Sequence, residues 1–216
     1  MPADPPAAAT GGYPVSLRIA GERCLVVGGG PVAVSKVAGL REAGAVIDLV
    51  APVVDPRLRD LPDVTVHERR YDSADIAGHR LVITATDDPA VNRQVFVDAE
   101  AAGVLVNSAD DPQNCRFTLM SRFRRGALLV TVSTDGRSPA VSAWLRRRIE
   151  AGIGEEYGIL VEVAAEVRSG ILASGRSSEG LGWKSALDSG ILELIREGRV
   201  TEAKERLETC LSSSSD

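Results

Sequence analysis

Three glycines, Gly28-Gly29-Gly30, separate the apolar run Cys24-Leu25-Val26-Val27 from Pro31-Val32-Ala33. A strand that passes through Gly-x-Gly-x-x-Ala into a helix is suited to holding a pyrophosphate. Gly28 permits the tight turn, Gly30 lets backbone approach the phosphates, and Ala33 lets helix and strand pack closely. The helix that begins at Pro31 and Val32 offers unpaired N–H groups and the positive end of its dipole. A bare glycine pattern is weak evidence, but strand, turn and helix together point to a dinucleotide. The second strand of an NAD site usually ends in Asp or Glu for the ribose hydroxyls. Here it closes Val50-Ala51-Pro52-Val53, with Asp48 mid-strand and no Arg at the tip to claim a 2'-phosphate. The choice between NAD and NADP does not follow from these residues.

Ligands of open α/β sheets gather outside the carboxyl ends of the strands, which nominates Thr84-Ala85-Thr86-Asp87 and Asn107-Ser108-Ala109-Asp110. Asp87 and Asp88 read first as helix caps. An ionised Asp110 at the cofactor edge could take a proton from a carbon acid whose hydride goes to a nicotinamide. Residues 114–150 hold eight arginines (116, 122, 124, 125, 137, 146, 147 and 148) against Asp135 and Glu150, a net of +6 that leaves −11 for the rest of a chain whose total is −5. Arginine forks suit carboxylates or phosphates, so Arg116 and Arg137 are candidates for an acidic substrate, with a solvated hairpin edge and helix face as the alternative. Ser133-Thr134-Asp135-Gly136-Arg137-Ser138 can cradle an anion through backbone N–H groups, or be a turn with a helix cap. His67 and His79 share no obvious partners in the sequence, and no metal site is expected.

These residues need a scaffold, and the pattern supplies one. Short apolar runs at 24–27, 46–50, 64–66, 81–85 and 104–106 read as buried parallel strands. Between them, one helix runs from Pro31 to Gly44 over Ala33, Val37 and Leu40. Another is capped by Asp88, begins at Pro89, carries Val91, Val95 and Ala102, and ends at Gly103. The expected fold is α/β, a Rossmann-like doubly wound parallel sheet over residues 13–113. From Asn114 the period changes: Phe117, Leu119 and Phe123 alternate with polar residues, and a turn at Arg124-Arg125-Gly126 leads to Ala-Leu-Leu-Val-Thr-Val, an antiparallel hairpin within residues 114–150. A lone hairpin is marginal in water, and a second copy in a homodimer is its simplest partner. Residues 151–210 read as a helical domain with stripes at Tyr157, Leu160, Val161, Ala164 and Val167, and at Ala186, Leu187, Ile191, Leu194 and Ile195. A further helix starts at Thr201, and Trp183 should anchor the Gly/Ser-rich loop before it. Residues 1–12 read as a disordered lead-in rather than a signal peptide, and residues 211–216 as a polar tail.

With 216 residues and 44% apolar composition the chain can bury a real core, and its acidic balance argues against general nucleic-acid binding. No apolar run approaches the roughly 18 to 20 residues that span a bilayer. Three cysteines without metal spacing suggest neither a disulfide framework nor a zinc site, and fit a reducing cytoplasm.

Taken in order, Tyr13-Pro14-Val15, Val26-Val27-Gly28-Gly29-Gly30-Pro31-Val32-Ala33 with Lys36, Glu42-Ala43-Gly44-Ala45, Leu49-Val50-Ala51-Pro52, Ala85-Thr86-Asp87-Asp88, Asn92, Asn107-x-x-Asp110-x-Pro112, Phe117 and Ser133-Thr134-x-Gly136-x-Ser138-Pro139 resemble precorrin-2 dehydrogenases, a group that includes the N-terminal half of siroheme synthase. The likeness is close over residues 13–150 and looser beyond. It implies NAD-dependent oxidation of precorrin-2 to sirohydrochlorin in a homodimer joined through the hairpin region, with a helical C-terminal domain. It makes Asp110 the functional carboxylate, and gives the glycine loop and the segment around Pro52-Val53 to the cofactor. The implied substrate carries eight carboxylates, which suits the arginine-rich region. Some members of this family also insert Fe(II) into sirohydrochlorin, and no residue here decides that; a module that senses NAD without chemistry is the reading from a different class. Thr134 stands where some siroheme synthases carry a phosphorylated serine, so that regulation is not expected. No methyltransferase half is expected within this length.

Overall fold

The computed structural model describes residues 12–109 and 111–213. The chain divides between Leu119 and Met120 into two compact units.

The first unit is a five-stranded parallel sheet. Its strands are β1 (Arg23–Val27), β2 (Val46–Val50), β3 (Val64–His67), β4 (Leu81–Thr84) and β5 (Leu105–Ser108), in the order β3-β2-β1-β4-β5. The central strands β1 and β4 are apolar along most of both faces because each face is covered. Cys24, Val26, Ile47 and Leu49 cluster with Ala33, Val37 and Leu40 of helix α1 (Pro31–Glu42). Leu25, Val27, Val50, Val82 and Val106 cluster with Val95 and Ala99 of helix α2 (Pro89–Ala102). The stripe of α2 therefore continues from Val95 to Ala99; Ala102, expected on it, is exposed. Asp88 caps α2 by accepting from the N–H groups of Ala90 and Val91, and Gly103 ends it in the left-handed conformation, φ 67°.

Asp48 interrupts the apolar face of β2 and is only 13% exposed. The two histidines that lacked visible partners converge on it: Nε2 of His67 lies 3.1 Å from Oδ1, and Nε2 of His79 3.0 Å from Oδ2, where Arg23 also donates at 3.0 Å. Burial alone would raise this carboxyl, but the hydrogen bonds from both histidines and Arg23 outweigh it and hold the pKa at about 2.

The sheet unit extends past its expected end at residue 113. Arg116 N–H donates to the Val106 carbonyl at 2.7 Å, Asn107 Nδ2 donates to the Phe117 carbonyl at 2.9 Å, and the Phe117 side chain packs on the core. Residues 114–119 thus fall in the sheet unit and not with the hairpin, with Arg116 and Phe117 bonded to residues of β5.

In the second unit the hairpin pairs β6 (Ser121–Arg125) with β7 (Leu128–Val132), turning at Gly126 with φ 53°. Helix α3 (Pro139–Gly152) starts from the Ser138 hydroxyl, which accepts from Val141 N–H. Four further helices, α4 (Glu156–Ala173), α5 (Trp183–Leu187), α6 (Ile191–Arg196) and α7 (Val200–Ser213), enclose Val163, Val167, Ile191, Leu194, Leu207 and Leu211. Trp183 anchors its loop by donating Nε1–H to the Ser178 carbonyl. The polar tail expected from residue 211 begins later. Leu211 follows Leu207 one turn on and is buried at 1% exposure, so burial carries α7 on to Ser213.

Asp48→Asn should cost about 1 to 3 kcal/mol at neutral pH, because a charge-assisted network loses its acceptor. The folded pKa lies below the unfolded value, so this contribution is whole above about pH 4 and is lost as pH falls through about 2. Urea unfolding of both chains at pH 7 and pH 2 checks it: the gap should close in acid.

Candidate dinucleotide site

The turn after β1 is shaped by what surrounds it. Gly28 has φ 120°, and a Cβ there would stand 2.3 Å from the Ala85 carbonyl oxygen that follows β4. Its own N–H donates to the Val50 carbonyl at 2.9 Å. A Cβ on Gly29 would meet the Val53 carbonyl oxygen, also at 2.3 Å. Both glycines are demanded by the protein's own backbone. Gly30 is different: a Cβ there meets nothing within 4 Å, and its φ of −85° suits any residue.

Gly30 is also the N-cap of α1, with no side chain capping the helix and no acidic residue in its first turn. Pro31 sets the first position, Val32 is 45% exposed, and Ala33 is fully buried against the sheet. This leaves an open approach to uncapped N–H groups at the positive end of a helix dipole, which fits a dinucleotide pyrophosphate. Pro52 and Val53 are exposed beside it, Val53 by 78%. Sequence reasoning passes over Asp55 and Arg57, which the chain brings back to the glycine turn: Asp55 donates its N–H to the Gly29 carbonyl at 2.8 Å and pairs with Arg57.

Two of the expected contacts turn out to be supports. Thr84 is fully buried, and its hydroxyl donates to Ser108 Oγ at 2.8 Å, tying the end of β4 to that of β5. Asn107 is 6% exposed, with its amide donating to the Phe117 carbonyl and Cys115 Sγ, so it holds the following turn. Thr86 is half-buried; its hydroxyl donates to Asn92 Oδ1 while Asn92 Nδ2 donates to the Thr86 carbonyl. Asp88 caps α2, as the capping alternative expects.

Asp110 lies outside the described residues. The described residues that follow β5 are held by bonds that spacing alone does not show. The Cys115 thiol lies within hydrogen-bonding distance of the Ser108 and Asp111 carbonyls and accepts from Ser108 N–H; Asn114 bonds Asp111 Oδ2 at 2.5 Å and accepts from Arg93. Burial raises the Cys115 thiol pKa, which keeps it protonated.

The arginines are less available than their count suggests. Arg116 gives Nε and Nη2 to Glu100, Arg125 pairs with Glu150 and Glu155, and Arg146 pairs with Glu150. Arg116, expected to meet a substrate, is held by α2 through Glu100 while its side chain stays 58% exposed. In the second unit, residues 133–138 form a loop closed on itself. Thr134 Oγ1 donates to the Ser138 carbonyl and accepts from Ser138 N–H, Ser133 Oγ accepts from Asp135 N–H, and Gly136 has φ 74°. Arg137 has no side-chain partner among the described residues.

A parallel sheet ordered 3-2-1-4-5, with a glycine turn opening onto an uncapped helix, defines an NAD(P)-binding protein of Rossmann type. Family comparison agrees: an NAD(P)-binding family matches residues 15–121, and the sirohaem biosynthesis protein central family matches residues 125–152. The chain is 41% identical to siroheme synthase of Nitrosococcus oceani over 203 residues, covering 92% of this chain and 43% of that protein. It is 41% identical to siroheme synthase of Acinetobacter baylyi over 165 residues, or 74% of this chain and 36% of that one. Among solved structures, SirC, precorrin-2 dehydrogenase, matches with TM-score 0.68 and 26% identity over 92% of this chain and 98% of its own. The chain belongs to the family of precorrin-2 dehydrogenases and siroheme synthases, and spans less than half the length of the curated relatives it matches.

Gly28→Ala should destabilise the fold by about 2 to 4 kcal/mol, since strain and a backbone clash coincide. Gly30→Asp should melt within about 5 °C of the parent and yet lose most dinucleotide affinity, because it places a like charge where phosphates bind. Thermal melts and calorimetric titration with NAD separate the two outcomes.

Proposed function

We propose that this chain oxidises precorrin-2 to sirohydrochlorin with NAD. The observation that carries the reading is the likeness to SirC, precorrin-2 dehydrogenase, along nearly the whole of that chain. It is supported by a helix terminus that no side chain among the described residues caps.

The roles follow from the chemistry. A nicotinamide supplies the hydride acceptor when bound. The α1 terminus behind Gly28, Gly30, Pro31, Val32 and Ala33 receives the pyrophosphate, with Pro52 and Val53 along the adenosine side and Thr86 along the edge of β4. Thr84 and Asn107 position these strand ends from below. Asp110 takes the proton that must leave as the C–H electron pair departs with the hydride. Arg137, the Ser133 and Ser138 hydroxyls and the backbone N–H groups of Thr134 and Gly136 meet carboxylates of the tetrapyrrole.

The active form in this reading is a homodimer. Helix α3 buries only Ser142 within its unit, leaving Val141, Trp144 and Ile149 exposed by 45%, 49% and 37% beside a two-stranded hairpin. Such an apolar patch suits a second copy of the chain. A reducing cytoplasm suits three free thiols.

Protein mixed with precorrin-2 and NAD should yield NADH and the sirohydrochlorin spectrum in equal amounts. Asp110→Ala should keep NAD binding while turnover falls about 10²- to 10⁴-fold, the usual worth of a general base. Tight NAD binding without tetrapyrrole binding would favour a sensor instead. Trp144→Glu should shift the sedimentation of the chain from dimer to monomer; an unchanged dimer would remove α3 from the interface.

A further inference from the structure

The segment after β2 lies directly against the glycine turn. The Val53 carbonyl fills the space where a Gly29 side chain would be, and Asp55 N–H bonds the Gly29 carbonyl at 2.8 Å. In a sheet of this kind the end of β2 lies beside the adenosine ribose, where an acid favours the free 2'-hydroxyl of NAD and an arginine favours the 2'-phosphate of NADP. Both types of residue are present here, locked together. Asp55 accepts Nε and Nη2 of Arg57 at 2.9 and 2.7 Å, and also accepts the Arg57 backbone N–H at 3.0 Å. The carboxylate is 16% exposed and the guanidinium 64%.

Building on the dinucleotide reading above, we infer that Asp55 is the residue that makes this site select NAD over NADP. It acts in two ways. Its charge opposes a 2'-phosphate, and its bidentate hold keeps Arg57 from turning to that phosphate. The second way matters because Arg57 is long, mostly exposed and always charged, and would be a natural phosphate ligand if released. Hydrogen bonds from the Arg57 side chain and backbone keep the Asp55 carboxyl at about 2, so the pair stays ionised across any working pH. An exposed pair of this kind contributes little to stability, which leaves it free to be exchanged for selectivity.

The test is calorimetric titration of the full chain with NAD and with NADP, independent of turnover. The parent should bind NAD at least about tenfold more tightly than NADP, and Asp55→Asn should tighten NADP about tenfold or more while NAD changes by less than about threefold. Asn keeps an acceptor for the Arg57 N–H and so preserves the local turn; Asp55→Ser, another good cap, serves if the Asn chain fails to fold. Adding Arg57→Ala to Asp55→Asn should weaken NADP binding relative to Asp55→Asn, leaving only the part of the gain that comes from the lost charge. The gain should also shrink at high salt, as befits a new phosphate contact. Unchanged NADP affinity in Asp55→Asn, or a gain that loss of Arg57 does not reduce, overturns the inference. A parent chain that binds neither nucleotide would overturn the dinucleotide reading itself.

Discussion

The first unit depends on one close approach of backbone to backbone. Where β1 ends, Gly28 passes 2.3 Å, measured from an imagined Cβ, from the Ala85 carbonyl on one side, and Gly29 comes equally near the Val53 carbonyl on the other. The sheet order reverses between β4 and β2 at this point, so connections leave toward opposite faces and a crevice opens above β1. Glycine is required twice to let three chains meet, and the third glycine then stands in the space the meeting creates. Fold and site are thus set by one steric fact, with the helix dipole of α1 aimed into the crevice.

Much of this was legible in the sequence because it rests on local signals. Strands buried on both faces read as unbroken apolar runs, and Pro31, Asp88, Pro89 and Gly103 mark helix ends by their backbone chemistry. What stayed hidden depended on contacts distant in sequence. Asp48 with His67 and His79 spans three elements whose separation carries no periodicity, and each residue alone looks like an ordinary surface polar group. Residues 114–119 imitate a strand by alternation, yet Arg116 and Phe117 are bonded to Val106 and Asn107 of β5. Asn107 and Thr84 were rightly placed at strand ends. Whether such a side chain faces ligand or neighbour is decided by packing, which spacing does not record.

Charge shows the same difference between counting and placement. The +6 of residues 114–150 draws on carboxylates beyond that window: Glu100 takes Arg116, and Glu155 shares Arg125. Pairing of this kind fixes arginine forks as struts within the fold and reduces the field a polyanion would meet. It leaves the loop at 133–138, with Arg137, as the more economical place to look for carboxylate recognition.

The bonds around Cys115 have a dynamic corollary. Ser108, Asp111, Asn114 and the thiol form a closed ring, and Asn107 with Arg116 seals the chain on either side of it. No member can let go without loosening the others, so the turn should open as one cooperative unit and not fray residue by residue. Amide exchange at Ser108, Asn114 and Arg116 would then share one opening free energy. The turn from Ser108 through Cys115 would be held or released as a whole, so its described residues would share one choice between closed and open in place of a continuous drift.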